Sequence, residues 1–304
     1  MIVLLESFWA FGAVLAALIA FLLIPPFGWR VAFALGAVPA LYVLALRRGI
    51  PESARYLESK GRFAEAEAVV RQVETGVAQP ARPTSVTAVT STAGTEKSTV
   101  ADLFQGRYAR RTAMLWILWF GITFSYYGVF TWLPTLLAQE HRSLTASFGY
   151  VLVITLFQIP GYYSAAYLVE RWGRKPTLAL YLLVCAVAAY FFRQAGQPGA
   201  SSTLILVWGS VLSFFNLGAW GVVYTYTPEL YPTRVRGTGA GFAAGFGRIG
   251  GIVGPYVVAL LLTSLGMATE VVFVMFAVIF FVIAADVLGL GEETKGGSLE
   301  ELAG

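Results

Sequence analysis

Long uninterrupted runs of apolar residues constrain this 304-residue chain more than any other feature of its sequence. A helix needs about 20 consecutive apolar residues to cross the hydrocarbon core of a bilayer, and eight runs approach or exceed that length. These runs are Ile2–Ile24, Val31–Leu46, Thr112–Ala138, Phe148–Val169, Pro176–Phe192, Thr203–Thr227, Thr238–Leu265 and Glu270–Leu290. The sequence therefore predicts an all-α integral membrane protein with eight transmembrane helices.

Composition supports this prediction and excludes several classes of protein. Charged residues make up 12% of the chain, whereas soluble proteins have about 25%, so lipid must cover much of the surface. The net charge of +4 does not indicate nucleic-acid binding, because the charges lie in short blocks between apolar runs. A single cysteine, Cys185, and a single histidine, His141, exclude an intrachain disulfide, a zinc-type cysteine cluster and a histidine-rich metal site. No cofactor is predicted, and a membrane enzyme is disfavoured.

The basic residues predict the orientation of the spans. If the N-terminus is cytoplasmic, 17 of the 21 basic residues lie in cytoplasmic segments and three lie in outside turns. This asymmetry predicts a multi-pass protein of the cell membrane with both termini in the cytoplasm. The predicted domains are two spans in residues 1–48, a cytoplasmic loop in 49–111, a six-span bundle in 112–291 and a cytoplasmic tail in 292–304.

The long cytoplasmic loop divides into two parts. From Glu52 to about Glu74, apolar residues such as Phe63, Ala66 and Val70 recur at helical spacing, which predicts an amphipathic helix against the membrane face. Residues 76–100 are mostly Thr, Ser, Ala and Pro, and they have few large apolar groups with which to form a core. This stretch is predicted to be a flexible linker.

Four loop sequences carry a more specific signal. They are Pro51–Leu57 (PESARYL), Glu170–Lys175 (ERWGRK), Pro228–Gly239 (PELYPTRVRGTG) and Glu292–Glu301 (EETKGGSLEE). In order and spacing they resemble the loops of the major facilitator superfamily, in its sugar-porter and metabolite:proton symporter branches. Two positions depart from the family pattern: Glu170 replaces the usual Asp, and Ala166 stands where the family often has Gly.

The resemblance implies a secondary active transporter in which two six-helix bundles alternate about a midplane site. On this alignment Met1 falls at the start of family helix five, so we expect the chain to lack four helices and to need them for transport. A late gene start, a fragment and a non-transporting remnant remain open. The expected function is proton-coupled symport of a small organic solute, such as an organic acid. A sugar porter and an efflux antiporter on the same fold are the alternatives.

The resemblance also implies a cytoplasmic gate formed by charged residues of the loops. The matching positions are Glu52, Arg55, Glu170, Arg171, Arg174, Glu229 and Arg234. A few partly buried ion pairs give two discrete arrangements whose populations a ligand can shift. The alternative is that these residues only set the topology.

Arg248 is the one basic residue inside a predicted span. It lies ten residues past Thr238, which places it about 15 Å deep in the bilayer. Because an unpaired charge at that depth is costly, Arg248 is predicted to bind an anionic substrate or a coupling carboxylate. The alternative is a structural pair with Glu6, the only acid of the first span.

Polar and aromatic residues at helical spacing complete the predicted cavity. The candidates are Trp119, Thr123, Tyr126, Gln158, Asn216, Trp220 and Tyr224. An aromatic floor with a few amide and hydroxyl groups suits a planar or ring-shaped organic solute. Ordinary packing or an interfacial aromatic belt is the alternative, and Trp132 is assigned to the belt.

Glycines recur at intervals of four residues around Arg248. The sets are Gly237, Gly241 and Gly245, then Gly247 and Gly251, then Gly250 and Gly254. Small residues at this spacing let helix backbones approach closely. We therefore expect this helix to pack tightly against its neighbours.

Overall fold

A computed structural model describes residues 2–49, 52, 54–59, 61–75, 99–139, 144–197 and 201–296. This part of the chain contains α-helices and no strand. In order they are α1 (Ile2–Phe27), α2 (Trp29–Gly36), α3 (Val38–Gly49), α4 (Ala54–Ser59), α5 (Phe63–Thr75), α6 (Gly106–Gln139), α7 (Leu144–Leu156), α8 (Gln158–Trp172), α9 (Arg174–Phe192), α10 (Ser202–Glu229), α11 (Thr233–Ala259) and α12 (Thr269–Leu290).

Seven helical segments of the described chain are long and apolar enough to cross a membrane. They are Ile2–Phe27, Tyr108–Thr135, Ser147–Trp172, Arg174–Phe192, Ser202–Glu229, Val235–Ser264 and Thr269–Leu290. They coincide with seven of the eight predicted spans and confirm an all-α integral membrane fold. The other predicted span, Val31–Leu46, falls on α2 and α3, which are separated by a turn at Ala37 and are each shorter than a bilayer requires.

One span is interrupted shortly before a proline. A turn at Phe157 separates α7 from α8, three residues before Pro160. Proline has no backbone N–H to donate and its ring clashes with the preceding turn, so the helix breaks just before it.

The chain divides into two compact units, Gly28–Glu96 and the remainder. In the first unit the predicted amphipathic helix consists of α4 and α5, with Gly61 between them at φ 72°, a conformation that favours glycine. On α5, Ala66 is buried and Val70 is exposed. Residues 76–98 of the predicted linker lie outside the described residues.

The second unit is a membrane bundle built from α1 and α6–α12. Helix α10 packs against α1, α7, α8 and α9, and it is buried along most of its length. Helix α11 packs on α6, while α12 packs on α6 and α9. The bundle core is therefore centred on α10, and the first span, α1, lies against it.

Glycine permits the closest helix contacts of this unit. A Cβ at Gly250 or Gly254 of α11 would clash with the carbonyl oxygens of Phe120 and Phe124 on α6. By contrast, a Cβ at Gly245, Gly241 or Gly237 would meet no atom within 4 Å. The expected tight packing is thus made by the second half of the glycine pattern, which lies beside Arg248.

Gly161→Ala is predicted to destabilise the bundle. The alanine Cβ would clash with the carbonyl of Phe214 on α10, and overpacking of this kind costs about 1–3 kcal/mol. Thermal unfolding of the purified chain in detergent measures the loss. Gly245→Ala is the matched control, because its Cβ meets only open space. Equal melting temperatures for the two variants would contradict the close approach of α8 and α10.

Candidate functional site

A cavity with an empty volume of about 340 Å³ lies among α1, α6, α8, α10 and α11. Six of the nine described residues that line it are aromatic, one is aliphatic, one is acidic and one is basic. The lining residues are Glu6, Trp9, Tyr126, Tyr127, Tyr162, Leu217, Trp220, Tyr224 and Arg248. The cavity therefore combines flat apolar surfaces with hydroxyl groups and one charge of each sign.

The aromatic rings of the cavity contact one another edge to face. The Tyr126 ring lies 5.2 Å from the ring of Tyr127 and 5.9 Å from that of Trp220, measured between centroids. Trp9 of α1 donates a hydrogen bond from Nε1 to the Tyr126 hydroxyl at 3.0 Å. Edge-to-face pairs of this kind fix ring orientation, so the cavity walls are ordered before any solute enters.

Arg248 lies at mid-depth in its span. It is 13 residues past Val235, about 20 Å along the helix at 1.5 Å per residue, in a span of 30 residues. Its Nη1 is 3.4 Å from the Tyr127 hydroxyl, and the residue is exposed. Within the described chain, no carboxylate pairs with Arg248 at 4.0 Å or less, so the structural pair with Glu6 is not formed.

Four of the eight predicted cavity residues line the cavity, and the other four are buried in the bundle outside its lining. Tyr126, Trp220, Tyr224 and Arg248 line the cavity. The others, Trp119, Thr123, Gln158 and Asn216, are fully buried and are not among the lining residues. All eight therefore lie on helices that border this cavity, but only four of them lie on its lining face.

Two of the buried candidates hold helices together. Trp119 donates from Nε1 to Thr227 Oγ1 of α10 at 3.0 Å. The Thr123 hydroxyl lies 2.6 Å from the carbonyl oxygen of Gly247 and thereby joins α6 to α11. Gln158 and Asn216 each lie one helical turn from a lining residue, Tyr162 and Trp220 respectively.

Several lining residues were missed from the sequence. Trp9, Tyr127, Tyr162 and Leu217 were not predicted, and Glu6 was considered only as a partner for Arg248. The run that forms α1 is apolar on all sides, so its sequence does not show which face meets the cavity. For Tyr162, a signal was available, because it lies four residues after Gln158 on the same helix face.

Four charged residues of the predicted gate, Glu170, Arg171, Arg174 and Glu229, lie at one end of the bundle. Arg174 forms hydrogen bonds of 2.9 to 3.2 Å with the carboxylate of Glu229, and its Nη2 lies 3.7 Å from Glu170. Arg171 donates to the Tyr167 hydroxyl at 3.1 Å. These contacts join α8, α9 and α10.

The segment after α12 completes this group of charges. The Glu293 carboxylate accepts hydrogen bonds of 3.0 Å from the backbone N–H groups of Arg174 and Lys175, so it caps the N-terminus of α9. Gly173, at φ 107°, leaves the space that this carboxylate occupies. Thr294 donates to Glu229 at 2.5 Å. The segment is thereby bound to the α8–α9 turn.

Arg111 of α6 is the most buried charged side chain of the group. Its side chain is 3% exposed, and it contacts Glu292 Oε2 at 2.6 Å and the Leu230 carbonyl at 3.0 Å. Beside it, the Tyr231 hydroxyl shares a hydrogen bond of 2.9 Å with Thr112, and burial raises the pKa of that phenol. We call Arg111, Arg174, Glu229, Glu292 and Glu293 the tail cluster.

The remaining gate residues are not part of the tail cluster as described. Glu52 precedes α4 and Arg55 lies within it, both in the unit Gly28–Glu96. The side chains of Arg55 and Arg234 lie outside the described residues. The observed ion pairs that involve predicted gate residues thus lie within the membrane bundle.

Glu292→Ala is predicted to lower the free energy of unfolding by about 2 kcal/mol or more, because it leaves the buried Arg111 guanidinium without its carboxylate. Glu170→Ala is the control, since Glu170 is 74% exposed and exposed pairs contribute less than about 1 kcal/mol. Denaturation in detergent micelles compares the two variants. A loss no greater than that of the control would show that Arg111 does not depend on Glu292.

A helical membrane bundle with an aromatic, charged cavity at mid-depth is the architecture of a membrane transporter. Comparison with known proteins gives the family. The sequence model described as sugar (and other) transporter matches residues 1–303. The chain belongs to this family of the major facilitator superfamily, whose members are transporters and not enzymes.

Two relatives and one solved structure illustrate the match. The niacin transporter NiaP of Acinetobacter baylyi is 49% identical over 301 residues, which cover 99% of this chain and 67% of the relative. A putative niacin/nicotinamide transporter NiaP of Bacillus subtilis is 43% identical, over 98% of this chain and 66% of the relative. The proton:xylose symporter XylE from E. coli superposes with a TM-score of 0.69 at 19% identity, over 99% of this chain and 66% of XylE. The chain spans about two thirds of the length of these proteins.

Proposed function

We propose that the protein takes part in proton-coupled transport of a planar aromatic carboxylate of the niacin type across the plasma membrane, with both termini in the cytoplasm. One observation carries the proposal: Arg248, a mid-membrane guanidinium without a carboxylate partner among the described residues, lies in a cavity lined by aromatic rings. The names of the two relatives above, both of which refer to niacin, support this solute class.

The cavity offers a distinct contact to each part of such a solute. Arg248 and the adjacent Tyr127 hydroxyl would bind the carboxylate through charge-assisted hydrogen bonds. The Trp220 and Tyr126 rings would contact the faces and edges of an aromatic ring.

The same lining disfavours a sugar. A sugar presents many hydroxyl groups, which side-chain amides bind well because an amide both donates and accepts. The two amides predicted for the cavity, those of Gln158 and Asn216, are buried outside the lining of the described cavity. An aromatic acid therefore matches the lining residues better than a sugar does.

We also propose that the charged residues at the end of the bundle form part of a cytoplasmic gate. The Arg174–Glu229 pair is half-buried, and it gains further contacts from Glu170 and Thr294. Partly buried pairs of this kind can exchange between discrete arrangements as a solute shifts the populations. Glu52, Arg55, Arg171 and Arg234 complete the proposed gate.

Arg248→Gln is predicted to weaken nicotinate binding about 10- to 100-fold, because a hydrogen bond to a charged group contributes about 1.5–3 kcal/mol. Binding of neutral nicotinamide should change little. Quenching of tryptophan fluorescence measures both affinities on the chain in lipid nanodiscs, since Trp9 and Trp220 line the cavity.

The control for this prediction is Arg62→Gln, at an exposed arginine just before α5. Equal losses for nicotinate and nicotinamide in Arg248→Gln would contradict a direct contact with the carboxylate. Absence of nicotinate binding by the unmodified chain would overturn the proposed solute.

Transport itself is tested in cells that express the complete gene. We expect saturable uptake of radiolabelled nicotinate that an uncoupler of the proton gradient abolishes. Uptake that is indifferent to the uncoupler would contradict proton coupling, and uptake no greater than in cells without the gene would contradict import.

A further inference from the structure

The cavity contains one carboxylate among its described lining residues, and that carboxylate has no observed partner. Glu6 is half-buried on α1 and forms no hydrogen bond or ion pair within the described chain. Its neighbours Val3, Ser7 and Ala10 form the buried face of α1, and Val3 lies against Gly221 of α10. Packing of α1 therefore holds Glu6 at the cavity wall, where no described residue pairs with its carboxylate.

Four tyrosines and one arginine line the cavity with Glu6 on the neighbouring helices. Tyr162 of α8 and Tyr224 of α10 line the same cavity, as do Tyr126 and Tyr127 of α6. On α7, the Tyr150 hydroxyl lies 2.6 Å from the Ser202 hydroxyl, and Tyr150 does not line the cavity. Arg248 is the one cation among the lining residues. Glu6 and Arg248 are thus the two groups that decide the net charge of the cavity.

We infer that Glu6 takes up the proton that accompanies an anionic solute through this cavity. The inference rests on the proposed function. An ionised Glu6 offsets the charge of Arg248 and repels a second carboxylate, and both effects are stronger in a site of low dielectric than in water. When Glu6 is neutral, the positive charge of Arg248 is available to bind the carboxylate of the solute.

The step balances in charge and atoms. A hydrated proton transfers from water to a carboxylate oxygen of Glu6, where an O–H bond forms, and no bond of the solute breaks. One positive and one negative charge are added to the site together. Because linkage is reciprocal, protonation of Glu6 raises the affinity for the anion, and the anion raises the affinity of Glu6 for the proton.

Isothermal titration calorimetry tests this on the chain in nanodiscs. Nicotinate is titrated in two buffers with different ionisation enthalpies, at several values from about pH 5 to about pH 8, and the difference in heat gives the protons taken up. We expect proton uptake by the unmodified chain and affinity that rises as the pH falls. Glu6→Gln, which resembles the protonated residue, should bind nicotinate without proton uptake and with little pH dependence.

Two variants and a neutral ligand make the result decisive. Glu6→Asp should restore proton uptake, because a carboxylate is present again, and Glu74→Gln, at an exposed residue of α5, should leave uptake unchanged. Nicotinamide binding shows that each variant is folded. Nicotinate binding without proton uptake, or undiminished uptake in Glu6→Gln, would overturn the role of Glu6 while the proposed solute stands. If the unmodified chain did not bind nicotinate at all, the proposed function would be overturned instead.

Discussion

The bundle depends on close contact between helix backbones, because lipid removes the usual driving force for association. Apolar side chains are as well solvated by lipid tails as by one another, so packing and interhelical hydrogen bonds hold the helices. Gly250 and Gly254 let α11 reach the carbonyl groups of α6, and Thr123 adds a hydrogen bond between the same two helices. Gly161 has the same role between α8 and α10.

These contacts also position the charge of the cavity. Gly247 and Gly250 flank Arg248 and bring its helix against α6, so the guanidinium lies beside Tyr127. A charge at mid-membrane costs about 2.5–3.5 kcal/mol on insertion scales, and it persists where it faces a polar cavity. The close helix packing that stabilises the bundle is thus also what places Arg248 where a solute carboxylate can reach it.

The sequence predicted the spans well because length and apolarity alone define a transmembrane helix. The run Val31–Leu46 was the exception, since its 16 residues are fewer than the length required to span, and its helix is interrupted at Ala37. Arg174 and Glu229, which form an ion pair, both lie in the loop motifs, but the tail cluster also uses Arg111, whose role no local pattern shows.

The cavity was predicted only in part, for a geometric reason. Trp220 and Tyr224 share a face of α10 with Asn216, yet Asn216 is covered by neighbouring helices. In a span that is apolar on all sides, the spacing of apolar residues does not show which face points toward the cavity. The rotation of the helix about its axis is then set by packing. Glu6 and Trp9 lie on such a span, so their place in the cavity required the structure.

Helix α10 connects the cavity to the tail cluster. Tyr224 lines the cavity, and Glu229, five residues later and about 7.5 Å along the helix, pairs with Arg174. Between them, Tyr226 donates a hydrogen bond to the carbonyl of Glu292. Both residues belong to the helix Ser202–Glu229, so a movement of α10 as a whole would move them together. Under the proposed function, one helix therefore carries the occupancy of the cavity to the ion pairs that would close the cytoplasmic side.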